Sequence, residues 1–238
     1  MKEIVKRNFS LAAKSYSKYS LFQRIAGGKL LKRISFFNVK EPILDLGSGT
    51  GELLNGENFI CLDISFKMAE LCRERALLSI CGDAEELPLK SESVPTAVSN
   101  FSLQWTELNK SIPEVYRVLK KGGLFFLSIP VKGSLRTLFS ALRVASDKFP
   151  TFKFPEEKEV FEVFSRFFDV LEFERLYLER KFKSAREAVK FVTGIGAKNP
   201  FGNLRYSELK KFRDIFNREP KIEYRVLIIS GKKLPREL

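Results

Sequence analysis

The stretch Ile43-Leu44-Asp45-Leu46-Gly47-Ser48-Gly49-Thr50-Gly51 decides the fold. Its first half reads as a short buried strand, because three of its four residues are apolar. Its second half has glycine at every other position, and glycine tolerates the positive dihedrals and close backbone approach of a tight turn. A strand that runs into such a turn is typical of an open parallel sheet with a nucleotide-like ligand at the strand tip.

The glycine spacing and a downstream acid narrow the class of ligand. A second predicted strand, residues 58–62, ends at Asp63, whose carboxylate can accept hydrogen bonds from both hydroxyls of a ribose. A dinucleotide site is the alternative, but the third glycine comes one residue too early for that fingerprint. The Lys-Ser/Thr pair of a P-loop is also absent from this stretch.

Alternating strand and helix patterns predict an α/β fold with a doubly wound, mostly parallel seven-stranded sheet. The predicted strands are 42–46, 58–62, one ending at 81–83, 94–98, 124–129, 170–182 and 221–230. The predicted helices are one or two over 4–34, little more than one turn after Gly51, then 65–78, 107–120, most of 134–168, 184–193 and 206–218. We expect a single domain over 1–238, with an N-terminal helical lid (1–34), a cofactor-binding half (35–131), a helical insertion (132–168) and C-terminal strands and helices (169–238).

Charge limits the partners. The chain has 42 Lys and Arg against 29 Asp and Glu, a net charge of +13, which favours acidic partners through long-range steering. An acidic carrier protein, nucleic acid and an anionic membrane surface all fit this charge, and so does a surface that is merely basic. No apolar run approaches the roughly 18–20 residues of a membrane span.

Two residue types limit the chemistry and the compartment. The chain has no histidine, which excludes a Ser-His-Asp triad, a Cys-His pair and a histidine metal site. Cys61, Cys72 and Cys81 show no metal-ligand spacing, so we expect no metal and three reduced, buried thiols. With no secretory signal at the N-terminus, the expected location is cytoplasmic.

Three motifs in order resemble those of the class I S-adenosylmethionine-dependent methyltransferases. ILDLGSGTGELL resembles their first motif, ICLDIS their second strand with its ribose-binding acid, and GDAEELPL their third motif. The resemblance implies S-adenosyl-L-methionine as the cofactor and S-adenosyl-L-homocysteine as the product. It also implies that Asp83 meets the adenine amino group and that the Ala84 backbone meets the ring. The implied cofactor residues are Asp45, Gly47, Ser48, Gly49, Gly51, Asp63, Ile64, Met68, Asp83, Ala84 and Asn100.

Further stretches resemble a narrower group. SNFSLQW, residues 99–105, is similar to a subgroup that includes the malonyl-acyl-carrier-protein O-methyltransferases of biotin synthesis and the trans-aconitate methyltransferases. RNFSLAAKSYSKYSLFQ (7–23), GSL (133–135) and GIGA (194–197) resemble the biotin family in particular. Ser17 departs from its pattern, because an aspartate is usual there.

The biotin-family resemblance implies methyl transfer to the free carboxylate of a malonyl-thioester on an acidic acyl-carrier protein, or of malonyl-CoA. A carboxylate is already ionised at neutral pH and needs no general base, which suits a chain without histidine. The candidates for a lid over the methyl group are Tyr16, Tyr19, Gln104 and Trp105. The candidates for holding the acceptor carboxylate or a pantetheine phosphate are Lys132, Arg136 and Arg143. Ordinary helix packing is the alternative for the tyrosines, and a solvated face for the basic residues.

Other functions stay open from the sequence. The acceptor is another small carboxylic acid in one alternative, and an RNA or a quinone in a second. In a third, the chain is a repurposed cofactor-binding assembly factor. No RNA-reading module or basic tail is visible, so nucleic acid is not an expected partner. No membrane partner is expected either.

Overall fold

The computed structural model describes residues 2–54, 58–146, 152–197 and 204–235. Its strands are β1 (Ile43–Leu46), β2 (Phe59–Asp63), β3 (Leu78–Cys81), β4 (Val94–Asn100), β5 (Leu119–Pro130), β6 (Phe168–Lys181) and β7 (Lys221–Lys233). They form one sheet in the order β3-β2-β1-β4-β5-β7-β6. Strands β1 to β5 are parallel, and β7 runs antiparallel to both β5 and β6. The predicted α/β class and mostly parallel seven-stranded sheet are confirmed.

The described helices are α1 (Lys2–Ala12), α2 (Tyr16–Tyr19), α3 (Leu21–Ile34), α4 (Phe66–Cys72), α5 (Leu108–Val118), α6 (Arg136–Ala145), α7 (Glu157–Ser165), α8 (Ala185–Thr193) and α9 (Tyr206–Phe216). One face of the sheet packs against α3, α6, α8 and α9, and the other against α5 and α7. Side chains alternate between the two cores along each strand, as a period of two requires. In β5, Phe126 lies in the first core and Phe125 in the second. None of these helices is long and apolar enough to cross a membrane.

Several predicted helices were wrong in extent. The N-terminal segment contains three helices, because α2 is a separate short turn before α3. Residues 52–54 are not helical, so the short helix expected after Gly51 does not begin there. Helix α4 stops at Cys72, six residues earlier than predicted, because the chain must turn back to form β3. The stretch 134–168 divides into α6 and α7, which pack on opposite faces of the sheet.

Helix α3 continues through the glycine pair that the sequence marked as a weak point. A Cβ on Gly27 would lie 2.9 Å from Leu53 Cδ1 and 3.1 Å from Asn100 Nδ2. Glycine therefore lets α3 approach the tips of β1 and β4 more closely than any other residue would. This close approach places the N-terminal helices over the carboxyl ends of the parallel strands.

The cysteines differ from the expectation of three reduced, buried thiols. Cys61 on β2 and Cys72 on α4 are fully buried and form a disulfide. Cys81 is a free and exposed cysteine at the end of β3. Its exposure follows from topology, because β3 is the edge strand of the sheet.

Candidate functional site

The glycine loop after β1 is built from three residues with positive φ: Gly47 (+67°), Gly49 (+54°) and Gly51 (+71°). A side chain on Gly47 would overlap that of Ser102, and a Cβ on Gly51 would lie 2.6 Å from the Cys72 sulfur. Gly49 is less crowded. A hydrogen bond anchors the loop to the neighbouring strand β2: the Gly47 amide donates to the Leu62 carbonyl at 2.7 Å.

Asp63, at the tip of β2, holds this loop in place. Its Oδ2 accepts from the Gly49 amide at 3.0 Å, and its Oδ1 accepts from the Ser65 amide at 2.8 Å. Burial raises the pKa of Asp63 to about 6, although these two N–H groups act in the opposite direction. A carboxylate has further lone pairs, so Asp63 can still accept from a ligand hydroxyl.

Three buried polar atoms near the loop lack a partner among the described residues. They are Asp45 Oδ2, Ser48 Oγ and Thr50 Oγ1. Burial, with a smaller contribution from the charge of Asp63, raises the pKa of Asp45 to about 7. Buried polar groups are normally hydrogen-bonded, so three orphans around one cavity indicate a polar ligand there.

Three cavities meet around the loop. Their linings overlap, because neighbouring cavities share residues. The first, the nucleoside cavity, is lined by Asp63, Ile64, Asp83 and Ala84 among others. The second, the polar cavity, contains the orphaned atoms together with Arg24, Glu52 and Asn100. The third, the aromatic chamber, is lined by residues that include Gln104, Trp105, Phe152, Phe154 and Tyr224.

Tyr16 is the residue that all three cavities share. Its ring carbon Cε1 would lie 3.7 Å from a Cβ on Gly49, so the ring sits directly over the loop. Burial, and then the nearby Asp63 carboxylate, raise the pKa of Tyr16 above its ordinary value. The phenol therefore stays protonated and can act as a hydrogen-bond donor where the cavities join.

Helix α1 closes the nucleoside cavity from above. Lys2 Nζ lies 2.6 Å from Asp83 Oδ2 and 2.6 Å from Glu85 Oε2. Ser10 and Ser65 share a hydrogen bond of 2.8 Å between their hydroxyls. Helix α1 therefore covers the site and reduces its access to water.

Most of the predicted cofactor residues surround the first two cavities. Gly47, Gly49, Asp63, Ile64, Asp83 and Ala84 line the nucleoside cavity, and Asp45, Ser48 and Asn100 line the polar cavity. Gly51 and Met68 line neither. Met68 is fully buried behind Ser65, whose hydroxyl accepts from the Met68 amide. Asn100 also has a structural role, because its Nδ2 donates to the Gln23 carbonyl and its Oδ1 accepts from the Ser128 hydroxyl.

The predicted lid residues are only partly brought together. Tyr16, Gln104 and Trp105 line the aromatic chamber, and Trp105 also lines the nucleoside cavity. Tyr19 lines none of the three cavities and instead packs against Gly194. Its ring therefore lies beside the C-terminal end of α8 rather than at the cavities.

The three predicted basic residues lie outside the three cavities, so the structure does not support their proposed place at the acceptor. Lys132 and Arg136 line a separate cleft with Arg175 and Arg225. Arg143 is exposed on the same side of α6 as Arg136, because α6 buries its leucine face in the core. Residues seven apart share a helical face, as the sequence suggested, but that face is directed away from the site.

Several residues that line the cavities were not singled out from the sequence. They include Lys2, Phe9, Gln23, Arg24 and Tyr224. Three of them, Phe9, Gln23 and Arg24, lie in or next to the N-terminal stretch whose tyrosines were singled out. No motif in the sequence pointed to Tyr224, because it lies on β7, more than a hundred residues after the cofactor motifs.

Comparisons with known proteins agree with this geometry. Residues 44–127 match the family profile described as a methyltransferase domain. A solved putative methyltransferase from Bacillus halodurans superposes with a TM-score of 0.63, covering 87% of this chain and 100% of that one at 13% identity. This chain has the fold of the class I methyltransferases. Both the resemblance and the doubly wound fold expected from the sequence are thereby confirmed.

Relatives with a more specific name also match. The chain is 35% identical over 162 residues to a malonyl-[acyl-carrier protein] O-methyltransferase of Buchnera aphidicola, which is 64% of this chain and 65% of that protein. It is 27% identical over 221 residues to the protein of that name in Gallionella capsiferriformans, covering 83% of this chain and 76% of the relative. The chain spans 52 to 65% of the length of the first relatives that it matches.

Proposed function

We propose that this methyltransferase domain transfers a methyl group from S-adenosylmethionine to the free carboxylate of a malonyl-thioester on an acyl-carrier protein. The observation that carries the proposal is the similarity to relatives of that name, which in one case extends over 83% of the chain. The product is a methyl ester, which we place in biotin synthesis.

The residues around the glycine loop suit S-adenosylmethionine. Asp63 can accept from the ribose hydroxyls, and the cavity beside Asp83 and Ala84 suits the adenine ring. In the polar cavity, Arg24 is the cation available for the cofactor's carboxylate. The orphaned Asp45 Oδ2 can accept from its ammonium group.

The reaction suits a chain that has no histidine. When bound, S-adenosylmethionine supplies a methyl group on a sulfonium, which an acceptor oxygen takes as the carbon–sulfur bond breaks and a neutral thioether is left. The chain does not have to remove a proton from the acceptor, because a carboxylic acid is ionised at neutral pH. Its residues align the acceptor and exclude water, through Tyr16 at the junction and α1 above it.

The partner is an acidic carrier protein, which suits the net charge of +13. The charge acts mainly on association, so raising the salt concentration is expected to increase KM for the carrier-bound substrate more than for a small thioester. This difference separates a carrier-dependent enzyme from one that acts on small acids.

A panel of acceptors tests the proposal. Malonyl carrier protein, malonyl-CoA, free malonate, trans-aconitate and RNA are each incubated with S-adenosylmethionine, and formation of S-adenosylhomocysteine is followed. We expect the malonyl carrier protein to have the highest kcat/KM, at least about 100-fold above the free acids, because remote contacts contribute to the transition state. A bacterial host that cannot make this methyl ester should also regain growth without biotin. A higher kcat/KM with trans-aconitate or RNA would overturn the proposal.

A further inference from the structure

The aromatic chamber has a lining without any charged side chain among the described residues. Its polar groups are two phenols, Tyr16 and Tyr224, two amides, Gln23 and Gln104, and the indole N–H of the tryptophan. Trp105, Phe152 and other apolar side chains surround them. The chamber shares Tyr16, Phe101 and Trp105 with the nucleoside cavity, so the two spaces are neighbours.

Tyr224 has a buried ring that three other aromatic rings hold in place. Its side chain lies on β7 and is only 4% exposed. The rings of Phe22, Phe101 and Phe154 pack edge-on against it, with centroids 5.5, 5.4 and 6.2 Å away. Its hydroxyl makes no hydrogen bond to the described part of the chain. A buried phenol normally finds a partner, so this one is available to a ligand.

The protonation state of Tyr224 suits a donor. Burial, and then the charge of Glu223, raise its pKa above the ordinary value. The neutral amide of Gln23 is also buried and can donate. Gln104 donates from Nε2 to the Phe101 carbonyl at 2.7 Å, and its Oε1 has no partner in the described chain. That oxygen suits an amide N–H, such as the one that follows the thioester of a pantetheine arm.

We propose that the aromatic chamber binds the carboxylate end of a short acyl thioester through uncharged donors, chiefly the Tyr224 hydroxyl and the Gln23 amide. This inference rests on the proposed function and replaces Arg136 and Arg143 as the residues that hold the acceptor. Burying an anion without a cation is costly. The positive charge must therefore come from the cofactor bound in the neighbouring cavities, so the carboxylate binds only after it.

The only tryptophan of the chain gives a direct readout of binding, because Trp105 lines the chamber. The probe is malonyl-N-acetylcysteamine, and its uncharged methyl ester is the control ligand. The protein is first saturated either with sinefungin, which has a cationic amine in place of the methylsulfonium, or with S-adenosylhomocysteine, whose sulfur is neutral. We expect the carboxylate probe to quench Trp105 fluorescence with a Kd at least about tenfold lower in the sinefungin complex, because a buried anion gains from a nearby cation.

Variants test the donors. Tyr224→Phe should raise the Kd of the carboxylate probe by about 10-fold or more, since a hydrogen bond to a charged group is lost. Its effect on the methyl ester should be much smaller. Gln23→Leu is a second variant on another element, with the same expected direction. Tyr177→Phe is the matched control, because Tyr177 is exposed on β6 and bonds Glu179 rather than the chamber.

The Kd values of these variants decide whether the aromatic chamber holds the carboxylate. A Kd for Tyr224→Phe and for Gln23→Leu within twofold of the wild type, in variants with an unchanged melting temperature, would overturn it. A large rise in Kd in Arg136→Gln or Arg143→Gln would overturn it too. The proposed function fails separately, if the wild-type protein binds the probe as expected but leaves malonyl carrier protein unmethylated.

Discussion

Replacing Gly47 by alanine should disrupt the glycine loop more than the same change at Gly49. At Gly47 the new methyl group overlaps the Ser102 side chain, and the residue must also keep φ at +67°. The left-handed conformation costs a non-glycine residue about 1–2 kcal/mol, and overpacking adds about 1–3 kcal/mol. We expect Gly47→Ala to lower the free energy of unfolding by about 2–5 kcal/mol.

Two alanine variants provide matched comparisons. At Gly49 the φ of +54° is also unfavourable, but the nearest atom to a Cβ is a Tyr16 ring carbon at 3.7 Å, an ordinary contact. Gly49→Ala should therefore cost only about 1–2 kcal/mol. Gly28 lies in α3 with nothing within 4 Å of a Cβ. Gly28→Ala should stabilise the protein by up to about 1 kcal/mol through helix propensity.

Urea unfolding of the three variants and the wild type, followed by circular dichroism, gives the order of stability. Calorimetric titration with S-adenosylhomocysteine should show weakened binding for Gly47→Ala. Equal destabilisation by Gly47→Ala and Gly49→Ala would refute the reasoning, because it would mean that Ser102 does not limit the space at the loop.

Three further perturbations test other parts of the site. Asp45 has a pKa raised to about 7, so a bound ammonium that favours its ionised form should make S-adenosylhomocysteine bind more tightly as the pH rises through about 7. In the unliganded protein the same raised pKa favours the folded state at low pH, and this contribution to stability is lost as the pH rises through about 7. Asp45→Asn should remove the pH dependence of binding, measured by calorimetry, and that of stability, measured by melting curves. Asp63→Ala removes the hydrogen bonds to the Gly49 and Ser65 amides and should weaken S-adenosylhomocysteine binding at least about 30-fold, whereas unchanged binding would contradict its role. Lys2→Met should change the free energy of unfolding by less than about 1 kcal/mol, because the ion pairs of Lys2 are partly exposed. If α1 acts as a lid, stopped-flow measurements should nevertheless show faster release of the cofactor from this variant.

The local parts of the site could be read from the sequence, because a strand, a glycine turn and a terminal acid are coded within a few residues. That is why the glycine loop and Asp63 were predicted to lie together, and the Gly49 amide does donate to Asp63. The pairing of parallel strands then brings Asp83 to the same edge without further information. The hydrophobic pattern was also sufficient for the order of strands and helices.

The acceptor side could not be read in the same way, because it depends on tertiary packing. Tyr224 reaches the chamber only because β7 inserts antiparallel between β5 and β6. The basic residues of α6 have the right spacing for one face, but only packing decides which face is buried. Likewise, the pairing of Cys61 with Cys72 depends on how α4 lies against β2.

The most direct test of the central claim uses malonyl carrier protein and S-adenosylmethionine with a labelled methyl group. The proposed activity predicts that the label moves to the carrier protein and is released by mild alkali, as expected of a methyl ester. It also predicts no transfer to a carrier loaded with acetyl, which has no free carboxylate. A protein that binds S-adenosylhomocysteine but leaves the malonyl carrier unlabelled would contradict the claim.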